Sequence, residues 1–354
     1  MLNQKLSVAI AGCGDISRPY AQTIQAYDYL QLRGFWNRTP AKAETLAQDF
    51  GGQVYPSLEA LLEDPQVEVV VNLTTQKVHA DIVRRCLQAG KHVHSEKPLA
   101  MTWQEAAELA NLAKEKGLRL SVCPVTFMGE AQQTLLNALR QGLAGKIRVI
   151  YAEVNWHRLE TWHPNPEPFY AVGAHYDVAV YPLSIITAFL GPAVRVQSIG
   201  KMLLPERCMP DGRPFTITTP DFNLALIELA SGALIRLTSN FYVSWETNQR
   251  GIEFHGDAGS LYLSSWERFD SKIEYAPFGE PYQPLPCLRS PYPGIEWGRA
   301  LAELFAALQA GRPHRPSADL AVHTLEILNA IDHSVLSGKP VELVTSFDPI
   351  EPID

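Results

Sequence analysis

Short apolar runs alternate with amphipathic stretches over the first third of the chain. Leu6-Ser7-Val8-Ala9-Ile10-Ala11, Leu30 to Trp36, Val67 to Leu73, His92 to Ser95 and Leu118 to Cys123 each stop at a glycine, a proline or a polar cluster. Between them lie helical patterns: one running toward Ala26, then Ala41–Phe50, His79–Ala89 and a stretch from Thr102 to Lys116. Gly90 stands where a helix ends, and Thr102-Trp103-Gln104-Glu105 is a capping box that starts one. Val67–Leu73 is almost wholly apolar, as expected of a strand covered on both faces. Strands separated by helices in this way predict a parallel, doubly wound sheet.

From about Phe127 the pattern changes. A helix over Glu130–Gln141 leads to strand-like runs at Ile147–Trp156, Val194–Ile199, Asn223–Leu229, Leu234–Phe241, Ile252–His255 and Ser260–Leu263. Ser231-Gly232 joins two of them in hairpin fashion. Helices are expected at Arg299–Ala310 and at about Ala318–Ile331, and irregular chain at Thr161–Pro168 and Ala276–Pro293. The fold class is α/β: an N-terminal Rossmann doubly wound sheet over 1–125, and an α+β domain with a large, mainly antiparallel open sheet over 126–354.

Composition narrows the partners. With 354 residues, 46% hydrophobic and 19% charged, the chain has the makeup of a soluble protein large enough for two cores. A formal net charge of -8 without a basic cluster argues against nucleic acid. No run reaches the ~20 apolar residues of a membrane helix, and Met1-Leu2-Asn3-Gln4-Lys5 enters a strand without signal-peptide features. Five scattered cysteines with no CxxC fit reduced, buried thiols, and a cytoplasmic location, better than disulfides or zinc. His92 and His94 share a strand face but have no third ligand in view, so no metal is expected.

The first chemical signal follows the first strand. In Gly12-Cys13-Gly14-Asp15-Ile16-Ser17, Gly12 allows a tight turn, Gly14 lets the backbone approach a pyrophosphate, and the next helix offers N–H groups to the anion. The second strand ends in Asn37-Arg38-Thr39, where an NAD-preferring fold would carry Asp or Glu. Arg38, Thr39 and the Asn37 amide suit a 2′-phosphate, so the cofactor expected is NADP in preference to NAD. Asn37 as the cap of the following helix is the alternative. Thr74-Thr75 and Glu96-Lys97-Pro98 complete a set of strand-end positions suited to lining a dinucleotide.

In the second half, Val172-Gly173-Ala174-His175-Tyr176-Asp177-Val178-Ala179-Val180-Tyr181-Pro182 carries the chemistry. If it is helical, Asp177 and Tyr181 lie four apart on one face. Alcohol and carbonyl redox reactions need a group that moves one proton while hydride passes to or from a nicotinamide. A tyrosine serves if an ammonium such as Lys97 stabilises its phenolate. His175 stands between a shared role in that proton transfer and a structural one. Trp156, His157, Trp162 and Tyr170 lie near this segment in sequence.

These motifs in this order resemble the Gfo/Idh/MocA oxidoreductase family over nearly the whole chain, with Glu96-Lys97-Pro98 the most specific. The resemblance implies that Lys97 is the motif lysine, that Pro98 is cis, that Asp177 binds substrate and helps orient the acid/base residue, and that the C-terminal sheet mediates a homodimer or homotetramer. It also puts His79 near the cofactor, where the alternative is a helix cap. Tyr181 replaces the histidine of many members. That is the arrangement of the branch with glucose–fructose oxidoreductase, dihydrodiol dehydrogenase and NADP-dependent xylose dehydrogenase. The function implied is hydride transfer between NAD(P) and a sugar, polyol or cyclic alcohol. A non-catalytic nucleotide-binding regulator, and an isomerase, epimerase or glycoside-cleaving relative with tightly held cofactor, are the alternatives.

Overall fold

The computed structural model describes residues 5–244 and 247–353. The reading of the N-terminus falls on residues 1–4 and lies outside them. The described chain divides into two compact units: one holds the residues up to Val125 together with Glu296–Val322, the other runs from Thr126 to Ile295 and resumes at His323. A single boundary after residue 125 therefore needs correction for Glu296–Val322. Packing is the cause: Gly298 N donates to Thr23 Oγ1 at 2.7 Å, and Phe305 stacks on Tyr29 at 4.9 Å.

The first unit runs β1 (Leu6–Ala11), α1 (Ser17–Gln25), β2 (Leu30–Trp36), α2 (Pro40–Phe50), β3 (Gln53–Val54), α3 (Leu58–Glu63), β4 (Val69–Asn72), α4 (His79–Gln88), β5 (His92–Ser95), α5 (Trp103–Glu115) and β6 (Leu120–Val122). Its strands pair in parallel in the order β3-β2-β1-β4-β5-β6. Val69, Val70, Val71 and Asn72 are fully buried, as a strand sandwiched between helix layers must be. The Thr102 side chain accepts from Glu105 N at 3.4 Å, so the capping box starts α5. Direction reverses between β1 and β4, the point where open α/β sheets leave a crevice beyond their strand ends. On the last rung Ala11 pairs with both Trp36 and Asn72, and Asn72 with Ser95. Gly12, Asn37, Leu73 and Glu96 therefore all leave the sheet at that one end.

The second unit contains α6 (Glu130–Arg140), β7 (Ile147–His157), α7 (Glu167–Ala174), α8 (Val180–Leu190), β8 (Ala193–Lys201), β9 (Glu206–Cys208), β10 (Pro214–Thr216), β11 (Phe222–Leu229), β12 (Leu234–Val243), β13 (Gly251–Gly256), β14 (Gly259–Leu263), β15 (Ile273–Pro277), β16 (Gln283–Pro284) and β17 (Val341–Glu342). Among the described residues, nine of its strands form one open sheet in the order β16-β15-β14-β13-β7-β12-β11-β8-β17, antiparallel except where β7 meets β12. Burial alternates along β11 and β12, so one face packs on the core and the other points outward.

Four expectations need adjustment here. The thiols are not all buried: Cys13, Cys86 and Cys123 are, but Cys208 is exposed and Cys287 half-buried. Ala276–Pro293 is not irregular throughout, since it holds the end of β15 and all of β16. The proline-rich loop ends earlier than Pro168, because Glu167 already opens α7. The helix from Ala318 runs to Ser337 rather than Ile331, because Ser334 is buried and its Oγ accepts from Ser198 N at 2.8 Å on β8.

Candidate active site

The dinucleotide turn is held from two sides. Gly12 has φ +100°, and a Cβ there would stand 2.5 Å from the carbonyl carbon of Leu73 at the end of β4. Only glycine fits at that distance. Gly14 is the opposite case: a Cβ would meet no atom within 4 Å, leaving its backbone open to a ligand. α1 starts at Ser17 with Ile16 at its N-cap, no side-chain cap and no acidic residue in its first turn, which suits an anion at its N–H groups. Ser17 is buried and its hydroxyl donates to Gly14 O, fixing the loop.

Asn37 does not cap α2. Its Oδ1 accepts from Cys13 N at 3.0 Å and its Nδ2 donates to Thr39 O at 2.9 Å, so the amide ties the end of β2 to the glycine loop. Arg38, Thr39 and Asp15 are exposed beside it. At the end of β4, Thr74 donates to Asn72 Oδ1 at 2.6 Å and Thr75 is exposed. His79 is 1% exposed, with Nε2 2.9 Å from Thr74 O and Nδ1 2.8 Å from Pro98 O. One imidazole thus links the turn after β4 to the turn after β5.

The Glu96-Lys97-Pro98 turn includes a cis bond between Lys97 and Pro98. Glu96 is 6% exposed; its Oε2 accepts from Lys97 N at 3.1 Å and its Oε1 from the Tyr20 hydroxyl at 2.9 Å. Tyr20 also meets His94 Nε2 and Cys123 Sγ, each at 3.1 Å, and His94 Nδ1 meets Ser121 Oγ at 2.9 Å. With Tyr20 donating to Glu96, His94 serves as an Nε2–H tautomer that accepts from Ser121. Burial raises Tyr20 and Cys123 well above their usual range and lowers His94 to about 3, keeping all three neutral behind the carboxylate. Tyr20, Ser121 and Cys123 carry no local sequence signal, and only the fold brings them to Glu96. His92 is engaged elsewhere, accepting from Arg119 N at 2.9 Å.

In the second unit the expected helix is broken. Gly173 has φ +83° and ψ 158°, His175–Ala179 form one π turn, and α8 follows from Val180. π turns of this sort recur at functional sites. A Cβ on Gly173 would lie 3.0 Å from His175 Nδ1, so glycine makes room for that ring. His175 is fully buried; its Nε2 donates to Asp332 Oδ1 at 2.8 Å, and its Nδ1 lies 3.3 Å from Asn223 Nδ2. Beside it Tyr176 accepts from Asn329 Nδ2. The turn is anchored through its buried histidine, while Asp177 and Tyr181 are half-buried and Tyr181 lies 5.6 Å from the Trp266 ring. Tyr170 is 2% exposed and belongs to an internal cluster in which Arg207 binds Glu160 at 2.8 Å, Tyr170 at 2.7 Å and Asp221 at 2.6 Å. Among the described residues no cluster of His, Cys, Asp and Glu could hold a metal ion. No described helix is long and apolar enough to cross a membrane.

A glycine turn pinned against β4, an uncapped α1 and strand ends converging at the β1/β4 switch define a dinucleotide-binding fold, and the residues fit such a cofactor. Comparison with known proteins carries this to a family. Residues 6–123 match the model of the GFO/IDH/MocA oxidoreductase family with its NAD-binding Rossmann fold, and residues 132–262 match that family's C-terminal domain. The chain belongs to the Gfo/Idh/MocA oxidoreductases. It is 22% identical to levoglucosan dehydrogenase of Pseudarthrobacter phenanthrenivorans over 89% of this chain and 92% of that protein. It is 27% identical to a dTDP-3,4-didehydro-2,6-dideoxy-alpha-D-glucose 3-reductase of Actinomadura kijaniata over 73% and 74%. The fold matches a levoglucosan dehydrogenase in complex with NADH at TM-score 0.84 and 20% identity, over 97% of this chain and 100% of that one. The protein is an NAD(P)-dependent oxidoreductase.

Proposed function

We propose that the protein is an NADP-preferring dehydrogenase or reductase of a sugar, polyol or cyclic alcohol, with proton transfer at the Tyr181 hydroxyl. The observation that supports the reading is the π turn anchored by buried His175, with half-buried Asp177 in the turn and half-buried Tyr181 in the first turn of α8. The nicotinamide, when bound, supplies hydride exchange. Tyr181 gives a proton to the forming alkoxide or takes one from the alcohol. The Lys97 ammonium favours the ionised phenol electrostatically. Asp177 accepts a hydrogen bond from a substrate hydroxyl and fixes which carbon reacts. His175 holds the turn rather than moving the proton, because its Nε2 is committed to Asp332 inside the unit.

The cofactor preference rests on the end of β2. Asn37 occupies the ribose-acid position but spends its amide on Cys13 and Thr39, leaving exposed Arg38 and Thr39 for a 2′-phosphate. Relatives named for sugars, including 1,5-anhydro-D-fructose reductase of Ensifer adhaerens at 27% identity, support the substrate class. The test is a nicotinamide-fluorescence screen of sugars and cyclic alcohols with both cofactors. Turnover of a sugar, with NADP bound at least tenfold tighter than NAD, is expected. Equal affinities would remove the preference, and no hydride transfer from any alcohol would remove the reading.

A further inference from the structure

One feature of the second unit goes beyond a site for a single sugar. Ring contacts run outward from Tyr181: to Trp266 at 5.6 Å, from Trp266 to Trp156 at 6.0 Å, from Trp156 to His157 at 5.5 Å, and from His157 to Trp162 at 5.6 Å. The row ends at a cavity of about 420 Å³ lined by His157, Arg158, Thr161, Trp162, Tyr242 and Ser244 among others. A second cavity of about 270 Å³ shares His157 and takes in Trp156 and Trp266. Volumes of this order suit small-molecule ligands.

The chemistry of the outer cavity is specific. Trp162 is 53% exposed, a large apolar surface left uncovered in a concave place. Arg158 stacks 4.7 Å over the Tyr242 ring, and among the described residues no carboxylate pairs with it. Thr161 and Ser244 add hydroxyls. An indole face ringed by a guanidinium and hydroxyls matches a pyranose, which offers an apolar C–H face and a rim of hydroxyl groups. Among the described residues Arg158 is the one Lys or Arg lining the cavity, short of the basic cluster that a pyrophosphate would call for.

Trp266, Trp156 and His157 stand between Tyr181 and Trp162, and Tyr181 lines neither cavity, so one ring held at Tyr181 leaves the Trp162 face for another. We infer that the substrate is longer than one ring, a glycoside or short oligosaccharide whose reacting residue lies at Tyr181 and whose outer ring stacks on Trp162. The inference rests on the sugar-oxidoreductase reading above for its inner end, while the outer cavity can be tested without turnover.

The experiment is calorimetric titration of the full-length protein with glucose, maltotriose and cellotriose, in wild type and in Trp162→Ala. At least one trisaccharide should bind ten or more times tighter than glucose, and Trp162→Ala should cut that ratio at least fivefold. Arg158→Ala should cut it in the same direction. Trisaccharides binding no better than glucose, or Trp162→Ala weakening glucose and trisaccharide alike, would overturn the inference. Turnover assays separate it from the reading it rests on. Oligosaccharide binding with no hydride transfer from any sugar removes the catalytic reading and keeps the subsite. Sugar turnover with no chain-length preference removes the subsite and keeps the catalysis.

Discussion

Replacing Gly12 and Gly14 separately should split stability from cofactor binding. At Gly12 an alanine must adopt φ +100°, and its Cβ would press to 2.5 Å on the backbone of Leu73, just past the end of β4. Strain at such a φ costs about 1–3 kcal/mol and forced overpacking about as much again, so Gly12→Ala should lose about 2–6 kcal/mol. At a few degrees per kcal/mol, the unit would melt about 10 °C lower. Gly14 is not at positive φ, and its Cβ would meet nothing within 4 Å. Gly14→Ala should therefore fold as wild type, or gain about 0.4–1 kcal/mol from a stiffer unfolded chain. It should nevertheless bind both dinucleotides at least about tenfold more weakly, about 1.4 kcal/mol, because the methyl group fills the space where a pyrophosphate must approach. Thermal unfolding of cofactor-free protein and fluorescence titration with NADP and NAD read the two effects. A Gly14→Ala protein that binds both normally would take the pyrophosphate away from this turn. A Gly12→Ala protein with an unchanged melting temperature would refute the steric argument.

Two further outcomes follow from buried groups. Arg207 is wholly buried between Glu160 and Asp221, so Arg207→Met strands two carboxylates and should cost about 3–5 kcal/mol in urea unfolding without changing dinucleotide affinity; a loss under 1 kcal/mol would contradict this. Acid stability should be governed by histidines. Burial lowers His94 to about 3 and His314 and His323 to about 4, and His323 Nε2 must stay unprotonated to accept from Ala193 N at 2.9 Å. Unfolded, all three titrate near 6.5, so below about pH 6.5 the unfolded chain binds more protons. Stability is full above that pH and falls as pH drops toward about 4, by up to about 4 kcal/mol per pH unit. A melting temperature unchanged between about pH 7.5 and 5 would contradict it.

The parts legible in the sequence are those whose cause is local. Leu6–Ala11 followed by Gly12-Cys13-Gly14 is a strand, a turn and a helix start within one stretch, and the structure has β1 and α1 there. The Thr102 capping box and the Ser231-Gly232 hairpin are read in the same way. What stayed hidden depends on distant residues. The run from Val172 to Pro182 looks like continuous helix because its apolar residues allow one; the π turn depends on Gly173 making room for His175, and His175 on Asp332 and Asn223. The Tyr20 cluster behind Glu96 joins α1, β5 and the end of β6, which no spacing rule connects. Glu296–Val322 rejoins the first unit through contacts with Thr23 and Tyr29, and its composition resembles that of the helices it follows.

The central proposal is that the Lys97 ammonium supports proton transfer at the Tyr181 hydroxyl. The most direct measurement is a double-mutant cycle on kcat/KM for the sugar turned over, using Lys97→Ala, Tyr181→Phe and the pair, with NADP affinity measured in each. Each single variant should lose about a hundredfold or more in turnover with dinucleotide binding nearly unchanged, and the double variant should be little slower than the worse single one. Near-normal turnover in either single variant, or two losses that simply multiply, would contradict the account.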